Sequence, residues 1–293
     1  MAISGENYLK VKNSQDNASS TPLFIQKFYH SGIKYEFKLA KRQNVISQMP
    51  NQIQMKINGF FDLILRKQIA IDLFNDSKTM RCPKFRVTKL DRGAQKIISE
   101  KLLSKSFINQ IDSSSISKIP DFEWVYNLLD INNECFVEYN NNPDYFYKPT
   151  HDSVLAAILL KLNNALSIET PIWLRKQKKL TDYMNLGDEI YNFSYSSSIT
   201  GHIDLLLYDD IGNNLIIADY KPEGYFLRSL PQIAFYAIIL RKILNINDLN
   251  VKCLSFNKEK AWIYNPEVLK EIDEEIKKYG NPKLPWRRIL RTI

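Results

Sequence analysis

Three charged residues at the ends of two apolar segments have the types and spacing to carry chemistry. Asp204 lies in the run GHIDLLLY, and Asp219 and Lys221 lie in the run NLIIADYK. A carboxylate within an otherwise apolar strand needs a cation to meet it. Two carboxylates and an ammonium that converge on one patch of sheet would form an oxygen-rich seat for Mg²⁺ or Mn²⁺. Such a seat is suited to metal-assisted hydrolysis, in which the cation acidifies a bound water and Lys221 orients that water or stabilises developing negative charge.

The segments around these residues are predicted to bring them together. Residues 198–208 and 214–220 have the pattern of two strands joined by a turn, which places Asp204 beside Asp219. Positions i and i+2 share a strand face, so Asp219 and Lys221 point the same way. Further strands are predicted over 169–174, 191–196, 251–256 and 260–264, and helices over 151–166, 229–244 and 266–278. This order predicts an α/β fold with a mixed β-sheet flanked by helices.

Two helix starts carry recognisable signals. Thr150 is the expected N-cap of the helix that opens with His151, and Ser229 is the expected N-cap of the helix that follows the second strand. Pro231 then falls in the first turn, where proline is tolerated.

The first 145 residues predict an additional α+β region without a sustained period. Residues 56–74 resemble two short strands around a basic turn, and an echo of the G-x-x-D pattern within them is interpreted as an ordinary hairpin. Residues 92–111 fit an amphipathic helix, and residues 132–149, rich in asparagine and ending at proline, fit a linker or long loop. The expected boundary near 145 divides the chain into 1–145, of unknown role, and 146–293.

From residue 150 to about 265, the order of motifs resembles the PD-(D/E)xK nuclease superfamily, and within it the RecB-like branch that includes CRISPR-associated exonucleases. That branch has a histidine on a helix, then G-x-x-D, then (D/E)-x-K, then Q-x-x-x-Y. The chain offers His151, then Gly201 to Asp204, then Asp219 to Lys221, then Gln232 to Tyr236, in the same order.

The resemblance implies a restriction-endonuclease-like core and a metal-dependent deoxyribonuclease, with exonuclease action on ends preferred and endonuclease action open. It implies four metal ligands: His151, Asp204, Asp219 and the carbonyl of Tyr220. Lys221 would be catalytic together with the two aspartates, and Gln232 and Tyr236 would face the DNA backbone. For His151 an interaction with the helix cap is the alternative.

Other residues are weaker candidates. Glu169 matches an acidic position often seen on the strand before G-x-x-D, and a structural role for it is about as well supported as a catalytic one. Further candidate substrate contacts are His202, Arg228, Arg175 and Lys176.

Three cysteines, Cys82, Cys135 and Cys253, are widely spaced and form no CxxC pair. They predict neither a disulfide framework nor a four-thiolate site. Many RecB-like relatives hold an iron-sulfur cluster through cysteines near the C-terminus, and this chain has no cysteine after Cys253. An iron-sulfur cluster is therefore not expected.

Composition limits the broad class. With 44% hydrophobic and 25% charged residues, the chain is expected to be a soluble globular protein. No segment resembles a membrane span or a secretory signal, so a cytoplasmic location is the expectation. No Walker A loop is present, which argues against an ATP-driven helicase. The net charge of +8 is a mild bias towards polyanions, and DNA, single- or double-stranded, is the expected partner. Self-association and nucleic-acid-processing partners stay open.

Two alternatives remain at this point. The first is a sequence-specific restriction-type endonuclease whose first 145 residues form a recognition domain. The second is a non-catalytic DNA-binding protein on a nuclease fold, although retained buried acids argue against it, because their mutual repulsion needs a cation.

Overall fold

In the computed structural model, the two apolar segments that carry the acids form the centre of a mixed sheet that has nine strands among the described residues. Its strands are β1 Leu23–His30, β2 Ile33–Ala40, β3 Met80–Arg81, β4 Ile108–Asp112, β5 Ala165–Leu174, β8 Ile199–Asp209, β9 Asn214–Tyr220, β10 Val251–Phe256 and β11 Lys260–Tyr264. The structure describes residues 23–85, 92–103, 108–115, 117–141, 149–175, 181–186, 189–194, 198–222, 226–245, 250–278 and 290–292.

The strand order is β1-β2-β5-β8-β9-β10-β11-β4, and β3 pairs with the start of β8 beyond the reach of β9. The β9–β10 and β3–β8 pairs are parallel, and the other pairs of this sheet are antiparallel. A separate antiparallel sheet of three strands contains β6 Thr181–Leu186, β7 Glu189–Ser194 and β12 Leu290–Thr292.

Helices cover both faces of the main sheet, which explains why its central strands are apolar on both sides. The helices are α1 Gln43–Ile46, α2 Asn51–Leu65, α3 Ile71–Asn75, α4 Arg92–Leu103, α5 Glu123–Asn141, α6 His151–Lys161, α7 Phe226–Leu244 and α8 Val268–Lys277. On β8, Leu206 and Tyr208 belong to the core that includes α2 and α7, whereas Leu205 and Leu207 belong to the core that includes α5 and α6. The prediction of an α/β fold with a mixed sheet flanked by helices is confirmed.

The predicted hairpin over residues 56–74 is wrong, because these residues form most of α2 and most of α3. The buried side chains of α2 recur at helical spacing, at Ile53, Ile57, Phe60, Phe61 and Ile64. This period outweighs the local β-forming composition, and it becomes visible only when the segment is followed from residue 51.

Three other predicted boundaries also change. The helix expected over 92–111 ends at Leu103, and Ile108–Asp112 is an edge strand beside β11. The loop expected over 132–149 is helical as far as Asn141, while 142–148 lie outside the described residues. The helix expected to begin after Ser229 begins by Phe226, so Ser229 is not its N-cap and Pro231 lies beyond the first turn.

The main sheet draws strands from both sides of the boundary predicted near residue 145. β2 pairs with β5, and β4 pairs with β11. The division into two domains stays a prediction, but hydrogen-bonded strand pairs join residues on the two sides of the predicted boundary. Within the described ranges no helix is long and apolar enough to span a membrane.

Arg42, just after β2, is a buried clamp between the two halves of the chain. Its side chain is 7% exposed, its Nη2 donates to the carbonyls of Leu159 and Leu160, and its Nε donates to the carbonyl of Ala165. Two of these carbonyls belong to the last turn of α6, where backbone acceptors have no partner within the helix. Arg42 therefore holds the end of the helix whose first residue is His151.

Substituting this arginine provides a stability test. Arg42→Ala is expected to lower the free energy of unfolding by about 2–4 kcal/mol, because it leaves buried carbonyls without donors. Urea denaturation measures the change. Arg66→Ala is the matched control, since Arg66 is exposed and lies 3.9 Å from Asp62, and a change within about 0.5 kcal/mol is expected there. Equal midpoints for the two variants would contradict the clamp.

Candidate functional site

Three buried carboxylates lie side by side on β5, β8 and β9. The strand pairs on either side of Glu169 place it level with Asp204. The β8–β9 ladder stops one position before Asp204 and Asp219, which therefore occupy opposed positions on neighbouring strands. The exposed fractions of the three residues are 9%, 7% and 1%. A row of buried acids across a sheet is unfavourable without positive charge nearby.

Each acid of this row contacts one basic side chain. His151 Nε2 lies 3.0 Å from Asp204 Oδ2, and Lys221 forms an ion pair with Asp219. His202 Nδ1 lies 2.7 Å from Glu169 Oε2, although neither atom makes a hydrogen bond of normal geometry. The structure thus brings together the predicted residues Asp204, Asp219, Lys221 and His151, and the weaker candidates Glu169 and His202 with them.

His151 reaches Asp204 because α6 begins where the sequence predicted. The hydroxyl of Thr150 accepts a hydrogen bond from the Ser153 backbone N–H, and the Ser153 hydroxyl accepts one from the Thr150 backbone N–H. This reciprocal arrangement is a capping box, which satisfies backbone donors at the helix start. The helix ends at Lys161, five residues earlier than predicted, and β5 starts at Ala165.

The two aspartates have opposite electrostatic properties. Burial raises the pKa of Asp204, but His151, Lys221 and His202 outweigh burial and hold the pKa below its usual value. Burial and the neighbouring charge of Asp204 raise the pKa of Asp219, and Lys221 only partly offsets them. Burial lowers the pKa of His151, but its acidic neighbours, Asp204 above all, outweigh burial and raise the pKa to about 9. Asp219 is therefore the acid that most needs an additional cation to stay ionised.

Several of these side chains could hold a metal ion. Ligand atoms of Glu169, His202 and Asp204 lie within 4.8 Å of one another, as do those of His151, Asp152 and Glu169. Buried Glu169 Oε2 and both carboxylate oxygens of Asp219 make no hydrogen bond of normal geometry. Oxygen atoms with unused acceptor capacity are what Mg²⁺ and Mn²⁺ require. The residues present therefore fit a divalent cation.

Glu169 is more central than the sequence indicated. It belongs to both groups of potential ligands, whereas Asp219 belongs to neither and instead contacts Lys221. Its backbone φ is +51° in the middle of a strand, a left-handed conformation that is unfavourable for a residue with a side chain. Such strain, of about 1–3 kcal/mol, persists only where the surroundings enforce it, and it concentrates at functional sites.

The predicted ligand Tyr220 contributes its ring to the packing around the site. The ring centre lies 5.9 Å from that of His151 and 5.3 Å from that of Phe256. This side chain is 3% exposed and supports the histidine from the side of the sheet that α5 and α6 cover. A metal contact through the Tyr220 carbonyl stays a prediction.

Gln232 and Tyr236 lie beneath the acids. They are 4% and 1% exposed, and the Gln232 side-chain amide donates to the Tyr236 hydroxyl at 2.9 Å. Burial, Cys82 and the two aspartates raise the pKa of Tyr236 well above its usual value. The structure places both side chains in the protein interior, where they support the floor of the site, and their contact with the DNA backbone stays a prediction.

The glycine of the G-x-x-D motif is required by the packing of Tyr236. A Cβ on Gly201 would lie 2.6 Å from Tyr236 Cε1 and 3.3 Å from Cys82 Cβ. Only a residue without a side chain lets the tyrosine ring pack against β8 at this point.

Gly201→Ala is therefore expected to destabilise the fold by about 1–3 kcal/mol through overpacking. Thermal unfolding checks this. Gly59→Ala in α2 is the control, because a Cβ there has no atom within 4 Å, and alanine is expected to be neutral or to stabilise the helix by up to about 1 kcal/mol. A Gly201 variant as stable as the wild type would contradict the packing argument.

Sequence reasoning missed a cluster from the first half of the chain. The ring of Tyr35 lies 4.1 Å from that of His202, and burial raises the pKa of the Tyr35 hydroxyl although the nearby charge of Arg81 lowers it. His30 lies 3.1 Å from the Thr200 hydroxyl, and burial, Arg81 and His202 lower its pKa to about 3. No local pattern marked these residues, because they join the site only through the pairing of β2 with β5 and of β3 with β8.

The predicted basic contacts have mixed outcomes. Arg175 forms a two-pronged ion pair with Asp72, at 2.7 and 2.8 Å. Arg228 lies in the first turn of α7, with its side chain outside the described residues, and Lys176 lies outside them altogether. Their contacts with a substrate stay predictions.

Comparison with known proteins adds no relative. No protein-family model, no curated protein and no solved structure matches the chain.

Proposed function

We propose that the protein is a metal-dependent deoxyribonuclease with a restriction-endonuclease-like core. The observation that carries the proposal is the row of buried acids Glu169, Asp204 and Asp219, with His151 and Lys221 in contact with two of them. A purely structural role would leave like charges buried together at a cost in stability.

In this proposal the acids and His151 hold Mg²⁺ or Mn²⁺. When bound, the cation supplies Lewis acidity at a phosphoryl oxygen and lowers the pKa of a water ligand. The carboxylates fix the position of the site on rigid central strands, which a site that must orient a phosphodiester needs. Glu169 joins the ligand set that the sequence proposed, because its carboxylate is within reach of both His151 and Asp204.

Lys221 has a separate role in the same proposal. Its ammonium lies at the end of β9, where its side chain is 25% exposed and pairs with Asp219. From there it orients the attacking water and donates a hydrogen bond to the phosphate as negative charge develops. Attack of the water oxygen on phosphorus breaks the bond to the leaving sugar oxygen. The attacking water releases one proton to solvent, and the leaving oxygen takes one proton from solvent.

The substrate class and the mode of action also belong to the proposal. DNA is preferred to RNA, and attack from ends to internal cleavage, because of the resemblance to RecB-like nucleases. The observations beside that resemblance are that Asp204 and Asp219 lie on adjacent antiparallel strands and that α7 connects β9 to the parallel strand β10.

A cleavage assay on matched substrates tests the proposal. Linear DNA with free ends, linear DNA with blocked ends and closed circular DNA are each incubated with Mn²⁺, Mg²⁺ or a chelator. The expected result is progressive loss of the free-ended DNA with a metal and no loss in the chelator. Discrete fragments from the closed circle would instead indicate a restriction-type endonuclease.

A negative result is also informative. No Mn²⁺ binding in calorimetry, with DNA binding preserved, would contradict the proposal and favour a non-catalytic DNA-binding scaffold. Asp210→Asn, which changes an exposed acid in the turn after β8, is the control that should keep full activity.

A further inference from the structure

One face of the β1–β2 hairpin is rich in lysine and lies next to the acids. Lys27 pairs with Glu36 across the two strands, Tyr29 pairs with Lys34, and Lys38 lies two positions beyond Glu36. Directly opposed residues of antiparallel strands point to the same side, as do positions i and i+2. These five side chains therefore form one surface, which we call the hairpin face.

A cleft connects the hairpin face with the candidate active site. It lies between β2 and the start of α6, and its volume is about 320 Å³. Lys34, Glu36 and Lys38 line one wall, and Asp152 lines the other. The cleft extends to Glu169, so a ligand that binds the lysines lies next to the acid row.

The charge of the hairpin face is unbalanced. Glu36 is its one acid, and the lysine ammonium groups of Lys27, Lys34 and Lys38 lie 3.9, 3.3 and 3.9 Å from its carboxylate. One carboxylate cannot neutralise three ammonium groups, so a net charge of about +2 remains for a polyanion to meet. At the other end of the cleft the lining residues Asp152 and Glu169 are acidic.

Tyr29 gives the hairpin face a feature that a plain basic surface lacks. Its side chain is 56% exposed beside Lys34, near the turn at Ser31 and Gly32. An exposed aromatic ring next to phosphate-binding lysines suits stacking on an unpaired base. The cleft volume is at the lower end of the range for small-molecule sites, about 300–1,000 Å³, which suits part of one strand rather than a duplex.

We propose that the hairpin face and its cleft bind a single DNA strand and lead it to the acid row, with Lys34 and Lys38 on the phosphates and Tyr29 stacked on a base. This inference rests on the proposed nuclease function and assigns the substrate-holding role to the N-terminal half. It also makes a single-stranded end the substrate at this site.

Binding of a fluorescent oligothymidylate, followed by anisotropy with Ca²⁺ in place of the catalytic metals, tests the inference. Lys34→Ala/Lys38→Ala is expected to weaken binding about tenfold at low salt. It should also flatten the slope of log affinity against log salt by about 1.4, that is, about 0.7 for each lost phosphate contact on a single strand. Tyr29→Ala is expected to weaken binding about tenfold without changing the slope.

Two further variants separate this effect from misfolding and from general charge. Lys96→Ala/Lys277→Ala removes two exposed, ion-paired lysines from α4 and α8, which pack together on the β4 side of the sheet, and should leave binding unchanged. Glu36→Gln removes the acid of the hairpin face and is expected to tighten binding about threefold, a gain that misfolding cannot produce.

The outcomes distinguish the two proposals. If the wild type cleaves DNA but the Lys34/Lys38 variant binds like the Lys96/Lys277 control, the hairpin inference is overturned and the nuclease function stands. If the hairpin variants change binding as expected while the wild type cleaves nothing, the hairpin inference is supported and the nuclease function is overturned. A wild type that binds no oligothymidylate overturns the hairpin inference.

Discussion

Lys221→Ala is expected to lower the rate of metal-dependent DNA cleavage by about 10²–10³-fold while leaving the fold intact. The Lys221 side chain lies at the end of β9 and is 25% exposed. The packing of the helices and of the core therefore does not depend on it. Without Lys221, Asp219 ionises less readily. The negative charge that develops on the phosphate also loses its hydrogen-bond donor. Asp204→Asn is expected to abolish cleavage to a similar or greater extent, because it removes a carboxylate that lies within reach of His151 and Glu169.

Initial rates under saturating Mn²⁺ measure these losses, and circular dichroism verifies the fold. Lys96→Ala provides the matched lysine control on the exposed side of α4. Activity equal to the wild type in either active-site variant, on both single- and double-stranded DNA, would remove the assignment of the site.

Mn²⁺ is expected to stabilise the wild type against unfolding by about 2.7 kcal/mol at a hundredfold excess over its Kd, and a chelator should reverse this. Asp219→Asn is expected to change both the stability without metal and the response to Mn²⁺. Without metal it should be more stable than the wild type by about 1–2 kcal/mol, because it removes a buried charge that Asp204 repels, and it should gain little from Mn²⁺.

The sign of the pH dependence follows from the raised pKa of Asp219. Between the ordinary value near 3.8 and the raised value, the folded protein holds a proton on Asp219 that the unfolded chain has released. The wild type in a chelator should therefore lose stability as pH rises through this window, whereas Asp219→Asn should lack that loss. Thermal scans with chelator across the window measure both. An Asp219→Asn variant that is less stable than the wild type at neutral pH, or equally stabilised by Mn²⁺, would contradict a metal role for this acid.

The centre of the site could be predicted because its information is local. An apolar run closed by a turn predicts each of β8 and β9, and the two-residue period of a strand then places Asp219 and Lys221 on one side. The hairpin connection brings Asp204 to the same place. Thr150 likewise marks the start of α6 and so the position of His151.

The surroundings of the site could not be predicted, because they depend on pairing between distant segments. Tyr35 and Arg81 reach the site through strands that the sequence alone did not reveal. The left-handed backbone of Glu169 has no signature in residue type, since glutamate adopts it only under enforcement by the surrounding structure. For Gln232 and Tyr236 the pattern indicated proximity to the acids correctly, but whether the side chains point to solvent or to the core depends on where α7 packs.

The errors in the first half have a physical cause as well. A helix such as α2 contains β-branched and aromatic residues on its buried face. A sequence window that starts in the middle of the helix shows this β-forming composition but is too short to show the helical period. The asparagines of α5 are unfavourable for a helix by propensity, yet the buried face of Val125, Leu128 and Leu129 holds the segment helical.

The pairing of β2 with β5 means that the chain cannot be divided at residue 145 without loss. A fragment that starts at residue 146 would keep every acid and Lys221, but β5 would lose its outer neighbour and present a bare, apolar edge of backbone donors and acceptors. Such an edge recruits further copies of itself, so aggregation rather than a minimal nuclease is the expected fate of that fragment. The first half is therefore joined to the strands that carry the acids by shared backbone hydrogen bonds.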